Sequence, residues 1–129
     1  MDSAKLHATG WINVTRYDSK PYDQSAGITL SEVEVNQEFS GGLTGTGIAR
    51  FLMVQMPDDS AHFTGIERFT GTVAGRSGSF LLRNAGILKD NAVTSEWLIL
   101  PGSATGELTG LTGTGGANPS GYFLNFAFE

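Results

Sequence analysis

Glycine recurs at every second or third position through three stretches of this chain, Phe39-Ser-Gly-Gly-Leu-Thr-Gly45, Phe69-Thr-Gly-Thr-Val-Ala-Gly75 and Leu108-Thr-Gly-Leu-Thr-Gly113. The six residues from Gly42 to Gly47 reappear unchanged from Gly110 to Gly115. Such segments do not suit a helix interior, where each glycine costs about 1 kcal/mol relative to alanine. They suit extended chain, with glycine supplying bulges and tight reversals between runs of Thr, Leu, Val and Phe. The pattern predicts a β-rich barrel or sandwich.

Alternation sharpens that expectation. Between Thr29 and Phe39 the residues Val33, Val35 and Phe39 fall on one side, and Glu32, Glu34, Asn36 and Glu38 on the other, as in a half-buried strand. A reversal at Gly41-Gly42 leads into Leu43 to Met56, which is apolar on both faces and stops at Pro57-Asp58-Asp59-Ser60. The same grammar gives strands over His62 to Val73, Ser79 to Leu88 and Ala92 to Leu100, with Leu6 to Tyr17 in front and Gly106 to Thr112 and Tyr122 to Phe128 behind. About eight strands joined by short turns predict an all-β fold, an antiparallel β-barrel of about eight strands that leaves no exposed edge. Asp18 to Gly27 and Ala117 to Gly121 are expected to be loops, either of which would flank a barrel mouth.

A length of 129 residues and an apolar share of 40% predict one domain over residues 1–129. The formal charge of −5 opposes binding to nucleic acid or an anionic membrane. The chain has no cysteine, which removes disulfides, thiolate metal sites and cysteine nucleophiles. Met1 to His7 lack the apolar run of a signal peptide, and no apolar stretch is long enough to span a bilayer as a helix, so a soluble cytoplasmic protein is expected.

Among polar residues, Glu67 is the most suggestive. In Phe63-x-Gly65-x-Glu67-x-Phe69 it shares a face with two aromatics and points into an apolar interior if they do. Desolvation would raise its pKa and suit it to general acid or base chemistry near neutral pH; alternatively it pairs with an arginine such as Arg83 or caps buried polar groups. Asn84 shares a face with Phe80 and Leu82 and would add a neutral hydrogen-bonding group. Tyr122 lies on an apolar stripe with Leu124, Phe126 and Phe128, and Trp97 on another with Val93, Ser95 and Ile99. An eight-stranded interior is either filled or holds one small ligand, so these side chains are both core and pocket candidates. Tyr22, beside Pro21, would close the mouth. Other constellations carry less. Gly71-x3-Gly75-Arg76-Ser77 lacks the spacing, the lysine and the helix of a phosphate-binding loop. The row Glu32, Glu34 and Glu38 reads as a solvated strand face, and His7 and His62 fit no ligand or triad spacing, so neither metal nor cofactor is expected.

The run Phe63 to Phe80, the run Trp97 to Gly113, the opening Lys20-Pro-Tyr-Asp23 and the closing strand resemble the small bacterial family called domain of unknown function 3224, over nearly the whole chain. The resemblance implies a β-barrel of the allene oxide cyclase type, a fold shared with proteins that steer reactive small molecules in an apolar cavity. Members of the family often carry histidine where this chain has Asn84. The functional expectation is then a cofactor-independent barrel that binds a small, mainly apolar molecule and isomerises, cyclises or hydrates it. Glu67 would handle protons, Asn84 and Tyr122 would orient polar atoms, and Phe69, Phe80 and Trp97 would shape the cavity, with Tyr22 at its entrance. There are two rival readings: a non-catalytic binding or storage module that uses the same cavity, and a filled barrel whose exposed strand faces form a homo-oligomer. Apolar residues on both faces of Leu43 to Met56, with Ile48, Leu52, Val54 and Met56 opposite Phe51 and Met53, motivate an expected homo-oligomer.

Overall fold

In a computed structural model the described residues, 5–129, form nine β-strands. Met1 to Ala4, part of the stretch expected to lack a leader, lie outside the described residues. The strands are β1 (Leu6–Ser25), β2 (Ile28–Gly41), β3 (Leu43–Gln55), β4 (Ala61–Val73), β5 (Arg76–Lys89), β6 (Ala92–Ile99), β7 (Thr105–Gly106), β8 (Leu111–Asn118) and β9 (Gly121–Phe128). All pairings are antiparallel, in the order β4-β3-β2-β1-β9-β8-β6-β5, and β5 returns to β4. Eight strands therefore close a barrel-like ring, as expected, and the two-residue β7 is added along β5.

The turns explain how the chain reverses so often. Ala26-Gly27, Ala74-Gly75 and Asp90-Asn91 each place two successive residues at positive φ, 56° and 75°, 51° and 77°, and 52° and 62°. That pair of left-handed residues matches the twist of the flanking strands and so makes the tightest hairpin. The first of these turns corrects the early loop: Asp18 to Ser25 continue β1 and pair with β2 up to Ser25↔Ile28. Pro21 is tolerated because β1 pairs with β9 only through Gly10, so beyond that point β1 is an edge, and the ladder carries a bulge between Pro21 and Asp23. The strand expected over Gly106 to Thr112 is also displaced. Successive turn bonds, Leu108 N to Thr105 O at 3.1 Å, Thr109 N to Gly106 O at 3.2 Å and Leu111 N to Leu108 O at 2.9 Å, curl this segment, and the strand begins at Leu111. The curl serves packing, because it drives Leu108 fully inside.

The interior divides into two parts. One is filled: Phe39, Leu43, Phe69, Val73, Phe80, Leu82, Trp97, Ile99, Leu108, Leu111, Tyr122, Leu124 and Phe126 form one buried cluster. Its rings meet edge-on or stacked, Phe39 to Phe69 at 5.3 Å and Phe69 to Phe80 at 5.0 Å between centroids. The second cluster, Val33, Val35, Ala49 and Phe51 with Met53 and Phe63 against it, lines β2 to β4 and faces open space. The register of β4 against β3 runs unbroken from Ala61↔Gln55 to Val73↔Leu43, so the alternation through Gly65 survives and Glu67 points inward.

Candidate functional site

The open part of the interior is a cavity of about 350 Å³. Val33, Val35, Phe51, Met53 and Phe63 form its wall, and Gln37, Asn84, Ser95 and Trp97 lie where it meets the filled cluster. Trp11, Val14 and Tyr17 of β1 and Asn118, Pro119 and Gly121 of the β8–β9 turn border it. β1 leaves β9 after Gly10, and beyond that point Trp11, Ile12, Val14 and Tyr17 of β1 and the β8–β9 turn border the cavity together. Of the two segments expected at a mouth, the late one is there, with Asn118 Oδ1 accepting from Ser120 N at 2.8 Å to hold the turn.

Glu67 is the buried carboxyl expected from its face of β4, with 0% of its surface exposed. One oxygen accepts from Gln37 Nε2 and the other from Asn84 Nδ2 at 3.4 Å. Room for the carboxyl comes from Gly47 on β3: a Cβ there would collide with Glu67 Oε2 and stand 2.8 Å from the Phe39 ring. Burial pushes the Glu67 pKa upward, against the opposing pull of the two amide donors. Arg83 is not its partner, since that side chain lies on the exposed face of β5. The ion pairs among the described residues, Arg16 with Asp18 and Glu34, and Arg50 with Glu34, also sit outside.

The other expected site residues separate into groups. Asn84 and Trp97 line the cavity, and they are directly opposite one another on β5 and β6. Glu67 stands behind Gln37 and Asn84, outside the cavity lining. Phe69 and Phe80 lie in the filled cluster and do not line the cavity. Tyr122 is a structural bolt: its hydroxyl accepts from Leu43 N at 2.8 Å and donates to Ser40 O at 2.7 Å, tying β9 to the β2–β3 hairpin. Burial raises its pKa, with the Leu43 hydrogen bond opposing. Tyr22 does not reach the mouth; it is 57% exposed at the bulge near the tip of the β1–β2 hairpin. Glu32, Glu34 and Glu38 lie on the outer side of β2, and His7 and His62 are exposed, His7 Nδ1 lying 2.6 Å from Asn125 Oδ1.

Three residues of the site escaped the sequence reading. Gln37 was legible, because it alternates with Val33, Val35 and Phe39 and so had to face inward. Trp11 and Tyr17 were not. Trp11 pairs with the exposed Ser40, is 63% exposed and reaches the cavity only at its border. A bulge between Val14 and Arg16 then changes which parity faces inward and sets Tyr17 opposite the buried Val35, and nothing in the local composition marks it.

These features define a class of small antiparallel barrel, packed solid in one part and hollow in the other, with an uncharged, largely apolar cavity. Within it, the chain matches the family described as Protein of unknown function (DUF3224) over residues 8–128 and belongs to that family. It is similar to the crystal structure of a protein of unknown function from the DUF3224 family of Shewanella oneidensis MR-1, with 27% identity and a TM-score of 0.72. That likeness covers 99% of this chain and 98% of the other. No curated protein matches the chain.

Proposed function

We propose that this protein binds a small, mainly apolar molecule in the barrel cavity, without a cofactor. The observation that carries the reading is a hollow of about 350 Å³, walled by Val33, Val35, Phe51, Met53 and Phe63 and open between β1 and the β8–β9 turn, beside a core that is otherwise filled. Interiors are normally packed without voids of this size, and ligand cavities of roughly this volume are walled in the same way. An apolar cavity of about 150 Å³ holds a benzene ring, so the occupant has on the order of 12 non-hydrogen atoms. The likeness to the allene oxide cyclase type of barrel, and a cytoplasmic setting, belong to the same proposal. A formal charge of −5 favours small neutral molecules over nucleic acid as its partners.

Isomerase, cyclase or hydratase chemistry is a second reading, favoured by Glu67 alone. This carboxyl is held above its ordinary pKa one hydrogen bond from the cavity lining. In that reading Glu67 does not touch the ligand; it accepts from Asn84 Nδ2 and so orients the Asn84 amide.

Equilibrium dialysis against naphthalene tests the binding reading. The expected result is saturable uptake of one molecule per chain, weakened at least about tenfold by Val35→Phe, which fills the cavity. Uptake that rises linearly without saturating, or that ignores Val35→Phe, overturns it.

A further inference from the structure

Four polar side chains stand where the cavity meets the filled core: Gln37, Asn84, Ser95 and Trp97. Three make hydrogen bonds within the protein: Gln37 Nε2 and, at 3.4 Å, Asn84 Nδ2 donate to Glu67, and Ser95 Oγ accepts from Ala117 N at 3.2 Å. Two fully buried atoms are left over: Asn84 Oδ1, an acceptor, and Trp97 Nε1, a donor, have no hydrogen-bond partner among the described residues. Their side chains are 5% and 3% exposed, and their residues face each other across β5 and β6, where same-face Cβ atoms lie roughly 5 Å apart. Buried polar atoms are ordinarily paired, and leaving one unpaired carries a penalty. An acceptor and a donor without partners, on two residues that pair across β5 and β6 and both line an apolar cavity, are complementary to a group that both donates and accepts.

We propose that the cavity selects an apolar molecule bearing a hydroxyl group, which donates to Asn84 Oδ1 and accepts from Trp97 Nε1. Charge narrows the choice further. Among the described residues no Lys, Arg or His lines the cavity, and the Glu67 carboxyl is hydrogen-bonded to Asn84, so a ligand carboxylate would meet no side-chain cation there and would lose its hydration without compensation. A ketone or ether accepts from Trp97 but leaves Asn84 Oδ1 unpaired. The inference rests on the binding reading above and specifies the chemistry of its ligand.

Calorimetric titration of the wild-type protein at neutral pH with four molecules on one skeleton, naphthol, methoxynaphthalene, naphthalene and naphthoate, decides it. Naphthol is expected to bind about tenfold or more tightly than methoxynaphthalene or naphthalene, the worth of roughly one net hydrogen bond, with naphthoate weakest. Asn84→Leu should bring naphthol to within about threefold of methoxynaphthalene, and Trp97→Phe should shrink the margin of naphthol over naphthalene. Naphthoate binding as tightly as naphthol, or naphthol no tighter than naphthalene or methoxynaphthalene, overturns the hydroxyl assignment and leaves the cavity reading standing. Failure of all four to bind overturns both.

Discussion

Glu67 holds two amide donors and no cation, and it has no exposed surface. Burial therefore prevails over its hydrogen bonds and lifts its pKa. The consequence for stability has a definite sign. Below the ordinary carboxyl value of 4.5, folded and unfolded chains are both protonated at this position. Above it the unfolded chain releases its proton first, so this group's contribution falls as pH rises, until the folded carboxyl ionises as well. Urea unfolding across this range should show wild type losing stability relative to Glu67→Gln as pH increases; parallel profiles would contradict the assignment. Gly47 and Tyr122 carry structural predictions of the same kind. Gly47→Ala forces a methyl against the Glu67 carboxyl and the Phe39 ring and should cost about 1–3 kcal/mol in denaturant unfolding. Tyr122→Phe leaves Leu43 N and Ser40 O without their shared partner and should cost a similar ~1–3 kcal/mol. Because Tyr122 does not line the cavity, naphthalene uptake by that variant should match wild type; lost uptake with unchanged stability would return Tyr122 to the binding site.

Hairpins and the curled β7–β8 connection are the elements that set the architecture. Ala26 and Ala74 occupy left-handed backbone, where alanine is strained and asparagine is not. Ala26→Asn and Ala74→Asn should each raise unfolding stability by about 0.5–1 kcal/mol; a loss would show that these turns are not held in that form. Leu108 plugs the filled part of the barrel from an otherwise turn-like segment, and Leu108→Ala should cost about 2–5 kcal/mol. Much of this was legible from the chain. Strict alternation marked β2 and the inward set of β4, Glu67 included, because a strand buried on one side writes its face into every second residue. Glycine pairs and polar turns marked most reversals. What could not be read is where alternation breaks. The extension of β1 through Pro21 depends on its being an edge, which is a property of the closed sheet. Leu108 sits in a curl that packs it into the filled cluster beside β5, and its Thr-Gly surroundings read equally well as strand.

At the scale of the molecule, closing eight strands with a stagger at β1 leaves the seam beside the β8–β9 turn open, and the cavity opens through that seam. The outer face gives a separate expectation. Ile48 and Leu52 of β3 are 65% and 52% exposed, near the exposed Ile66 of β4, and such a patch favours self-association. Sedimentation velocity at micromolar concentration should show an oligomer that Leu52→Glu dissociates, whereas a wild-type monomer throughout would contradict it. Binding in the hollow of the barrel is tested most directly by mapping amide and methyl NMR shifts on addition of naphthol. Shifts should concentrate at Val33, Val35, Phe51, Asn84 and Trp97, saturate together, and leave Phe69 and Phe80 nearly unmoved. Shifts confined to the outer face around Ile48 and Leu52, or none that saturate, would contradict a ligand-binding interior.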